Sequence, residues 1–363
     1  MKILFGMPSA DSWGGPAACE PPFVEAIENL GVDIATEEYV YGDRDKTTPL
    51  LTRIVRVIKT AMRFRQRLAR ERFDLIHLNT AFDRNTVLRD SISLFLMGRK
   101  RPKVFLKIHG SGAHLIPTNS YLFKRLIKFL DARVAGYGIF TREELDTFTP
   151  HGLDPAKFYF VKNAVSPRKA APFARSKGKE PGDNFELLFV SRFVETKGLL
   201  ETVNAVHRLR ANRVNFTLTC IGDGPIKDEA QKLVRDLEMT DIVSFTGYIT
   251  EDEVDGHLKR ADIFVFPTRH NEGFPIALFK AALAGLPIVT TSVRAAAEYF
   301  EDRKNCLFCS TDPEDIANKI NELINDRAMR EQMSAENQEF GKMLAPESVA
   351  NEYFTIYETI LNK

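Results

Sequence analysis

Two cationic side chains follow a short apolar run in the second half of the sequence. Arg192 and Lys197 lie in one loop, directly after Leu187 to Ser191 and just before Gly198. The guanidinium of arginine offers a planar fork to phosphate oxygens, and the ammonium of lysine acts as a mobile point charge. The pair therefore predicts a binding site for a diphosphate, with solvated surface cations as the alternative.

A second candidate loop carries Glu272 and leads into a predicted helix. Between this carboxylate and the helical stretch lie Gly273, Phe274 and Pro275, and the helical stretch begins at Ile276. Proline fits a first helical position because its missing N–H costs little there. The free N–H groups of a helix start favour negative charge, so we expect this loop to stabilise a leaving group that becomes anionic.

Paired glycines indicate places where the backbone can approach a ligand closely. Gly222 and Gly224 form one such turn. Tyr248 lies in a further loop, which is predicted at the same edge of the sheet as this turn. Gly14 and Gly15 follow the first apolar run, and N–H groups near a helix start there would suit a phosphate. A tight turn without a ligand explains Gly14 and Gly15 equally well.

A histidine ends an apolar run in the first half of the chain. His109 follows Val104 to Ile108 and precedes Gly110. An imidazole at such an edge can donate or accept a proton near neutral pH. The alternative is a histidine that is hydrogen-bonded only for structural reasons.

Short apolar runs alternate with amphipathic helical stretches along nearly the whole chain, a pattern typical of wound α/β units with parallel sheets. The runs form two series of six predicted strands. Their residues are 2–7, 32–39, 75–79, 103–109, 133–137 and 158–162, then 186–191, 215–221, 242–246, 263–267, 287–291 and 306–309.

The two series predict two Rossmann-like domains, at residues 1–165 and 185–345. Residues 166–184 are rich in proline and basic side chains and are predicted to be a linker. A final helix at 346–363 has an apolar face that we expect to pack back on the first domain. Ligands of such sheets bind beyond the carboxyl ends of the strands, so we expect function in a deep interdomain cleft.

Composition excludes several classes of protein. The chain has 363 residues, 44% of them hydrophobic, with 50 Lys and Arg against 49 Asp and Glu. This balance argues against a protein that coats nucleic acid through bulk charge. The four scattered cysteines predict no disulfide framework, and Cys306 and Cys309 are expected in a buried strand. A cytoplasmic protein without a membrane-spanning segment is the expectation.

Taken together, these motifs resemble the retaining nucleotide-sugar glycosyltransferases of family four, also called group one, which have the GT-B fold. The matching residues are Gly14–Gly15, His109–Gly110, Arg192, Lys197–Gly198, Gly222–Asp223–Gly224–Pro225, Ala261–Asp262, Glu272–Gly273–Phe274–Pro275 and Ala284–Gly285–Leu286–Pro287. The resemblance extends over nearly the whole chain.

The resemblance implies a role for several of these residues. Arg192 and Lys197 would hold the diphosphate of a nucleotide-sugar donor, Glu272 would contact hydroxyls of the transferred sugar, and His109 would lie near the anomeric centre. The loop that contains Tyr248 would frame the nucleotide base. The resemblance also implies that the sugar is transferred with retention of configuration, without a metal or other cofactor, to a glycan or glycolipid acceptor in cell-envelope synthesis.

One residue departs from the family pattern in a way that affects the donor site. Lys280 stands where the second of two paired glutamates normally accepts hydrogen bonds from the donor ribose. A lysine cannot accept them, although it can donate to a ribose oxygen or reach a phosphate. The segment from Ser292 to Glu298 also lacks glycines that are often found there. A non-catalytic family member that binds a sugar nucleotide as a partner or regulator is therefore the alternative function.

Residues 51–72 are strongly basic. They contain eight cations and a single acidic residue, Glu71, and several of the cations fall three or four positions apart. Basic amphipathic helices bind anionic lipid surfaces, and many relatives elongate lipid-linked glycans at the inner membrane face. The sequence thus predicts peripheral binding to the inner face of the membrane, with a packed helix that has a solvated basic face as the alternative.

Overall fold

The computed structural model describes residues 1–9, 15–39, 49–98, 101–110, 113, 116–117, 120–166, 179–210 and 214–363. The chain divides into two compact units. The first comprises Met1–Ala164 together with Pro346–Lys363, and the second comprises Val165–Ala345.

The first unit is built on a parallel sheet covered by helices. Its elements are β1 (Lys2–Met7), α1 (Gly15–Asn29), β2 (Asp33–Glu38), α2 (Leu50–Arg70), β3 (Leu75–Thr80), α3 (Arg84–Leu96), β4 (Lys103–Ile108), α4 (Tyr121–Asp131), β5 (Gly136–Ile139), α5 (Arg142–Phe148) and β6 (Phe158–Phe160). The strand order is β2-β1-β3-β4-β5-β6. Every residue of β3 is buried, as expected for a central strand with both faces covered.

The second unit repeats this architecture with a different strand order. Its elements are β7 (Phe185–Val190), α6 (Leu199–Arg210), β8 (Phe216–Ile221), α7 (Lys227–Asp236), β9 (Val243–Gly247), α8 (Glu251–Arg260), β10 (Ile263–Phe266), α9 (Ile276–Leu283), β11 (Ile288–Thr290), α10 (Ala295–Tyr299), β12 (Leu307–Phe308), α11 (Pro313–Asn325) and α12 (Arg327–Lys342). The order is β12-β11-β10-β7-β8-β9, so the direction of winding reverses between β7 and β10.

The last helix, α13 (Pro346–Asn362), belongs to the first unit. It packs on α1, where the rings of Tyr353 and Phe23 have centroids 4.6 Å apart. The Lys103 ammonium donates a hydrogen bond to the Ile360 carbonyl over 2.9 Å, near the end of the helix. The end of the chain is thereby fixed to the sheet of the first unit.

The predicted α/β fold class, with two parallel six-stranded sheets, is confirmed. The run at 133–137 is wrong in its bounds, because the amides of Arg133 and Val134 bond to the Leu130 carbonyl and complete the end of α4. The strand there, β5, begins only at Gly136. Of the proposed linker, residues 167–178 lie outside the described residues. No helix in the described part of the chain is long and apolar enough to span a membrane.

Candidate functional site

The loops after β7 and β10 meet at the point where the second sheet reverses its winding. The Thr196 carbonyl accepts hydrogen bonds from the Arg269 amide over 2.8 Å and from the Thr268 hydroxyl over 3.2 Å. Ligands of open α/β sheets bind at such switch points, because the loops of two adjacent strands diverge there. Arg192 and Lys197 lie in the first of these loops and Glu272 lies in the second.

Lys197 and Glu272, predicted from separate motifs, form an ion pair. Lys197 is buried, and its side chain also lies over the ring of Phe266. The Thr268 hydroxyl donates a weaker hydrogen bond to the same carboxylate over 3.4 Å. The structure thus brings together two of the predicted site residues within one unit.

The charges around His270 show which other groups are near this pair. Partial burial lowers the pKa of His270, Glu272 acts to raise it, and Lys197, Arg192 and Arg294 act to lower it. Three cations and one carboxylate therefore influence the same imidazole. Such an excess of positive charge suits an anionic ligand.

The Gly222–Gly224 turn is explained by packing against the protein itself. A Cβ atom at Gly222 would lie 1.8 Å from the Ser191 carbonyl oxygen, and one at Gly224 would lie 2.3 Å from that of Phe193. Both glycines also have positive φ angles, 139° and 156°. These two positions hold the β8 turn against the loop that carries Arg192, which is a positioning role that needs no ligand.

The residues around the start of α9 have mixed environments. Phe274 is buried and stacks on Phe279, with ring centroids 3.7 Å apart, whereas Ile276 is half-buried and Gly273 is buried. Pro275 precedes the helix as its N-cap rather than occupying the first helical position, because Ile276 is the first residue with helical geometry. Tyr248 is 54% exposed, so its ring is accessible to a ligand.

Lys280 makes two ion pairs on the buried side of α9. Its ammonium lies 2.6 Å from Glu251 Oε2 and 2.9 Å from Asp255 Oδ1, both on α8. Lys280 and Asp255 are buried, whereas the Glu251 side chain is 39% exposed. The departure from the family pattern is thus accompanied by two carboxylates that neutralise the new charge, a pairing that the sequence reasoning missed.

His109 lies in the first unit, at the carboxyl end of β4. Its Nε2 is 2.8 Å from Asn79 Oδ1 and 3.1 Å from Glu20 Oε1. Both partners accept hydrogen bonds when Glu20 is ionised, so Nε2 carries the proton. Burial, followed by the charge of Lys107, lowers the pKa of His109 to about 4, and the ring is neutral at pH 7.

Glu20 and Lys107 form a buried ion pair that sequence reasoning also missed. Their charged atoms are 2.8 Å apart, and neither side chain is more than 1% exposed. Burial acts to raise the pKa of Glu20, but Lys107 and His109 outweigh it and hold the pKa below its ordinary value. A lone lysine within the apolar run Val104 to Ile108 was the signal that a buried partner must exist.

The Cys19 thiol is near Glu20 and His109, and the three ligand atoms lie within 4.8 Å of one another. Burial raises the pKa of Cys19 well above its ordinary value, so the thiol stays protonated. The ammonium of Lys107 already neutralises Glu20. This set of donors does not suit a metal ion, which needs deprotonated ligands. Of the paired glycines near Cys19, Gly14 lies outside the described residues and Gly15 begins α1.

Known structures define the class of fold. The structure of HepE from Anabaena in complex with UDP and glucose matches with a TM-score of 0.70 and 17% identity, covering 99% of both chains. The sucrose-phosphate synthase of Thermosynechococcus elongatus matches with a TM-score of 0.75 and 18% identity, again over 99% of both chains. The chain therefore has the GT-B fold of glycosyltransferases, as predicted.

Sequence comparison gives the family. Residues 171–340 match the family described as "Glycosyl transferases group 1", which confirms the predicted resemblance to group 1 glycosyl transferases for this part of the chain. The colanic acid biosynthesis glycosyltransferase WcaL of Salmonella typhimurium, itself named as putative, is 29% identical over 42% of this chain and 38% of its own. A GDP-mannose-dependent phosphatidylinositol monomannoside mannosyltransferase of Mycobacterium tuberculosis is 28% identical over 53% and 50%. The chain spans about half the length of these relatives or less.

Proposed function

We propose that this protein transfers a sugar from a nucleoside diphosphate donor to a lipid-linked or polysaccharide acceptor, with retention of configuration. The observation that carries the proposal is the contact of Lys197 with Glu272 beside Arg192, at the switch point of the second sheet. Cations there would bind the diphosphate, and the carboxylate would accept hydrogen bonds from sugar hydroxyls. The names of the relatives, which concern colanic acid and a phosphatidylinositol mannoside, support an acceptor of the cell envelope.

The proposed chemistry needs no nucleophile from the protein. The bond between the anomeric carbon and the phosphate oxygen breaks while the acceptor oxygen bonds to the same face of that carbon. The departing phosphate oxygen takes the proton of the acceptor hydroxyl, so that charge and atoms balance. Arg192 and Lys197 would stabilise the negative charge on the leaving diphosphate, in the role that a metal ion has in other transferases. The neutral His109 imidazole is proposed to contact the sugar.

The donor class is tested by thermal shift with UDP-, GDP-, ADP- and CMP-sugars, because a ligand that binds only the folded state raises the melting temperature. We expect one nucleotide series to stabilise the wild type and to have no effect on Arg192→Glu. Lys232→Glu, which reverses an exposed cation on α7, is the matched control and should respond as the wild type does. Absence of a shift with any donor at millimolar concentration would contradict the proposal.

Transfer and binding are separated by a second measurement. If a stabilising donor is found, the release of free nucleoside diphosphate is measured in order to monitor hydrolysis or transfer of that donor. Release shows catalysis, whereas binding without release would favour the sugar-nucleotide-binding partner or regulator. The position of Lys280, neutralised by Glu251 and Asp255 in place of a free carboxylate, is the observation that keeps this alternative open.

The acceptor proposal extends to an anionic membrane surface, based on the exposed side chains of α2. The residues that pack α2 on the unit are the buried Thr60, Ala61 and Phe64. A separate apolar stripe points to solvent at helical spacing: Leu51, Ile54, Val55, Ile58 and Met62 are 38% to 73% exposed. Exposed apolar side chains beside basic ones are the features of a helix that lies in a lipid interface.

Neighbouring helices of the first unit continue this pattern. Phe95 on α3 is 68% exposed, and Tyr121 and Leu122 on α4 are 73% and 56% exposed. Helix α3 contacts both α2 and α4. Several cations of α2 are already paired, for example Arg63 with Glu37 and Arg67 with Glu71. Lys59, Arg70 and Arg72 are exposed and have no side-chain partner among the described residues.

Sedimentation with vesicles of anionic phospholipid tests the membrane proposal. We expect the wild type to sediment with them and the triple variant Lys59→Glu, Arg70→Glu, Arg72→Glu to remain in the supernatant. A matched reversal of three exposed cations in the second unit, Arg208, Lys232 and Arg235, changes the net charge equally and should leave binding intact. Equal loss of binding in both triple variants would indicate bulk charge alone and would contradict a role for α2.

A further inference from the structure

A cavity lies at the opposite end of the first sheet from His109. It has a volume of about 520 Å³ and is lined by residues 101–103, at the start of β4, and by residues 132–135, just before β5. Lys103 is the first residue of β4 and His109 follows the last, so the two positions are about 20 Å apart along the strand. The cavity is therefore separate from the site around His109.

The charged side chains that line this cavity in the described part of the chain are all cationic. They belong to Arg101, Lys103 and Arg133, and no described acidic residue contributes to the lining. Burial lowers the pKa of Arg101 from its ordinary value, and the charge of Arg133 acts in the same direction. Positive charges that lie close together without a carboxylate among them favour an anionic ligand.

The hydrogen bonds of Arg101 and Lys103 show an alternative, in which these cations only cap helices. Arg101 donates to the Gly98 carbonyl over 2.9 Å and to the Arg133 carbonyl over 3.2 Å, just beyond the ends of α3 and α4. Lys103 donates to the Ile360 carbonyl over 2.9 Å, near the end of α13. Such contacts satisfy carbonyl groups at helix ends and suit the helix dipole.

Capping leaves part of the hydrogen-bonding capacity of these two side chains unused. A guanidinium has five N–H donors and an ammonium has three. The Arg101 Nε is buried and has no hydrogen-bond partner among the described residues. A buried nitrogen without a partner on a charged group is costly, and an anion in the cavity lowers this cost by neutralising the charge. The capping alternative does not explain this feature.

We propose that this cavity binds a phosphate group through the Arg101 guanidinium and the Lys103 ammonium. A planar fork and a mobile point charge together suit phosphate oxygens. The phosphate belongs either to a lipid headgroup or to a free phosphate. Phe95, which is 68% exposed, lies beside the cavity, because its carbonyl accepts a hydrogen bond from the Gly98 amide over 3.1 Å. An apolar side chain able to enter a lipid layer thus adjoins the cations.

Residue-resolved NMR spectroscopy of the full chain measures binding here separately from binding at the donor site of the second unit. One titration uses inorganic phosphate, and another uses short-chain phosphatidylglycerol below its micelle concentration. We expect at least one probe to shift the backbone amides of Ala132, Val134 and Ala135. A shift with inorganic phosphate indicates a soluble source, and a shift with the lipid alone indicates a headgroup. Absence of these shifts with both probes would overturn the proposal.

Variants of Arg101 test whether its charge holds the phosphate. Arg101→Gln should raise the dissociation constant read from these amides at least about tenfold, the usual effect of losing a charge-assisted hydrogen bond. Arg101→Lys keeps the charge but not the fork, so it should restore part of the affinity. The matched control is Arg210→Gln, since Arg210 is an exposed cation of the second unit that also donates to a carbonyl, that of Glu238 over 3.0 Å. This variant should bind as the wild type does.

The melting temperature separates binding from capping. Arg101→Gln and Lys103→Gln each remove hydrogen bonds to helix ends, so both are expected to be less stable than the wild type. The effective probe should raise the melting temperature of the wild type, and each variant should lose most of this gain. If the probe stabilises both folded variants as much as the wild type, the two cations only cap helices and the proposal is wrong. Because the readout lies in the first unit, failure of the wild type to bind a sugar nucleotide would contradict the proposed function without affecting this inference.

Discussion

The two units of this protein hold charge at the carboxyl ends of their sheets in opposite ways. In the first unit, the Glu20 carboxylate and the Lys107 ammonium neutralise each other, both nearly inaccessible to solvent. In the second unit, Arg192, Lys197 and Arg294 outnumber Glu272, and Arg192 is exposed. The same architecture thus carries a self-neutralised cluster in one case and an excess of one sign in the other.

This difference indicates different roles for the two clusters. A buried pair that is fully compensated fixes the geometry around it, and here it holds the tautomer of His109. An excess of positive charge is unfavourable until an anion arrives, so it favours the bound state. We therefore expect substitutions in the first cluster to affect stability first and substitutions in the second to affect ligand binding first.

The largest effect on stability should come from breaking the buried pair. Glu20→Gln leaves the Lys107 ammonium buried without a counter-charge, which we expect to lower the free energy of unfolding by about 3–5 kcal/mol in urea denaturation. The double variant Glu20→Gln, Lys107→Met should recover most of this loss. Asp236→Asn, which breaks the exposed pair with Lys232, should cost less than about 1 kcal/mol. Similar losses in the buried and exposed pairs would remove the contrast between the two units.

The largest effect on activity should come from the second unit. Lys197→Ala and Arg192→Ala remove positive charge from the leaving diphosphate, and we expect each to lower the rate of transfer about 10²- to 10³-fold. Circular dichroism should show both variants folded. Lys232→Ala is the control and should keep the full rate. A rate near that of the wild type in either variant would contradict the diphosphate role of that cation.

The sequence predicted the arrangement of the second unit well because its signals are local. Apolar runs located the strands of both sheets, and loops that follow strands must meet at one edge. That rule was enough to bring Lys197 near Glu272 although 75 positions separate them. The local pattern did not predict which residues would pair with Lys280, since Glu251 and Asp255 lie on a preceding helix.

The polar cluster of the first unit was less accessible to sequence reasoning. Glu20 and Lys107 lie 87 positions apart, and each appears as a single charge in an apolar segment. Only the packing of α1 on the sheet brings them together. Arg294 has a positive φ of 39°, a backbone conformation that glycine adopts more easily, and the sequence alone could not predict it. Likewise, only the structure shows which side chains of α2 are buried and which form its exposed apolar stripe.

The pH dependence of stability should also distinguish the two units. Burial lowers the pKa of His109 to about 4 and that of His77 to about 3, so both rings stay neutral in the folded first unit while they bind protons in the unfolded chain. Stability is then fully present above about pH 6.5 and is lost as the pH falls toward 4, by about 1.4 kcal/mol per pH unit for each histidine. Urea denaturation between pH 7 and 5 measures this slope.

His109→Gln should reduce that slope by the contribution of one proton. His207→Gln, at an exposed position on α6 in the second unit, is the matched control and should leave the slope unchanged. An equal reduction in both variants would show that the slope does not arise from the buried cluster. The two units would then not differ in how they contribute to the pH dependence of stability.

The smallest effects should come from the two partners of Lys280, which differ mainly in exposure. Asp255 is buried with the ammonium, so Asp255→Asn should lower the free energy of unfolding by about 1.5–3 kcal/mol. Glu251 is half-exposed and its pair is weakened by water, so Glu251→Gln should cost less than about 1 kcal/mol. Urea denaturation of both variants checks the order. Equal costs would mean that exposure does not set the strength of charge pairs here. The buried pair of the first unit and the exposed cations of the second would then not differ for the reason given.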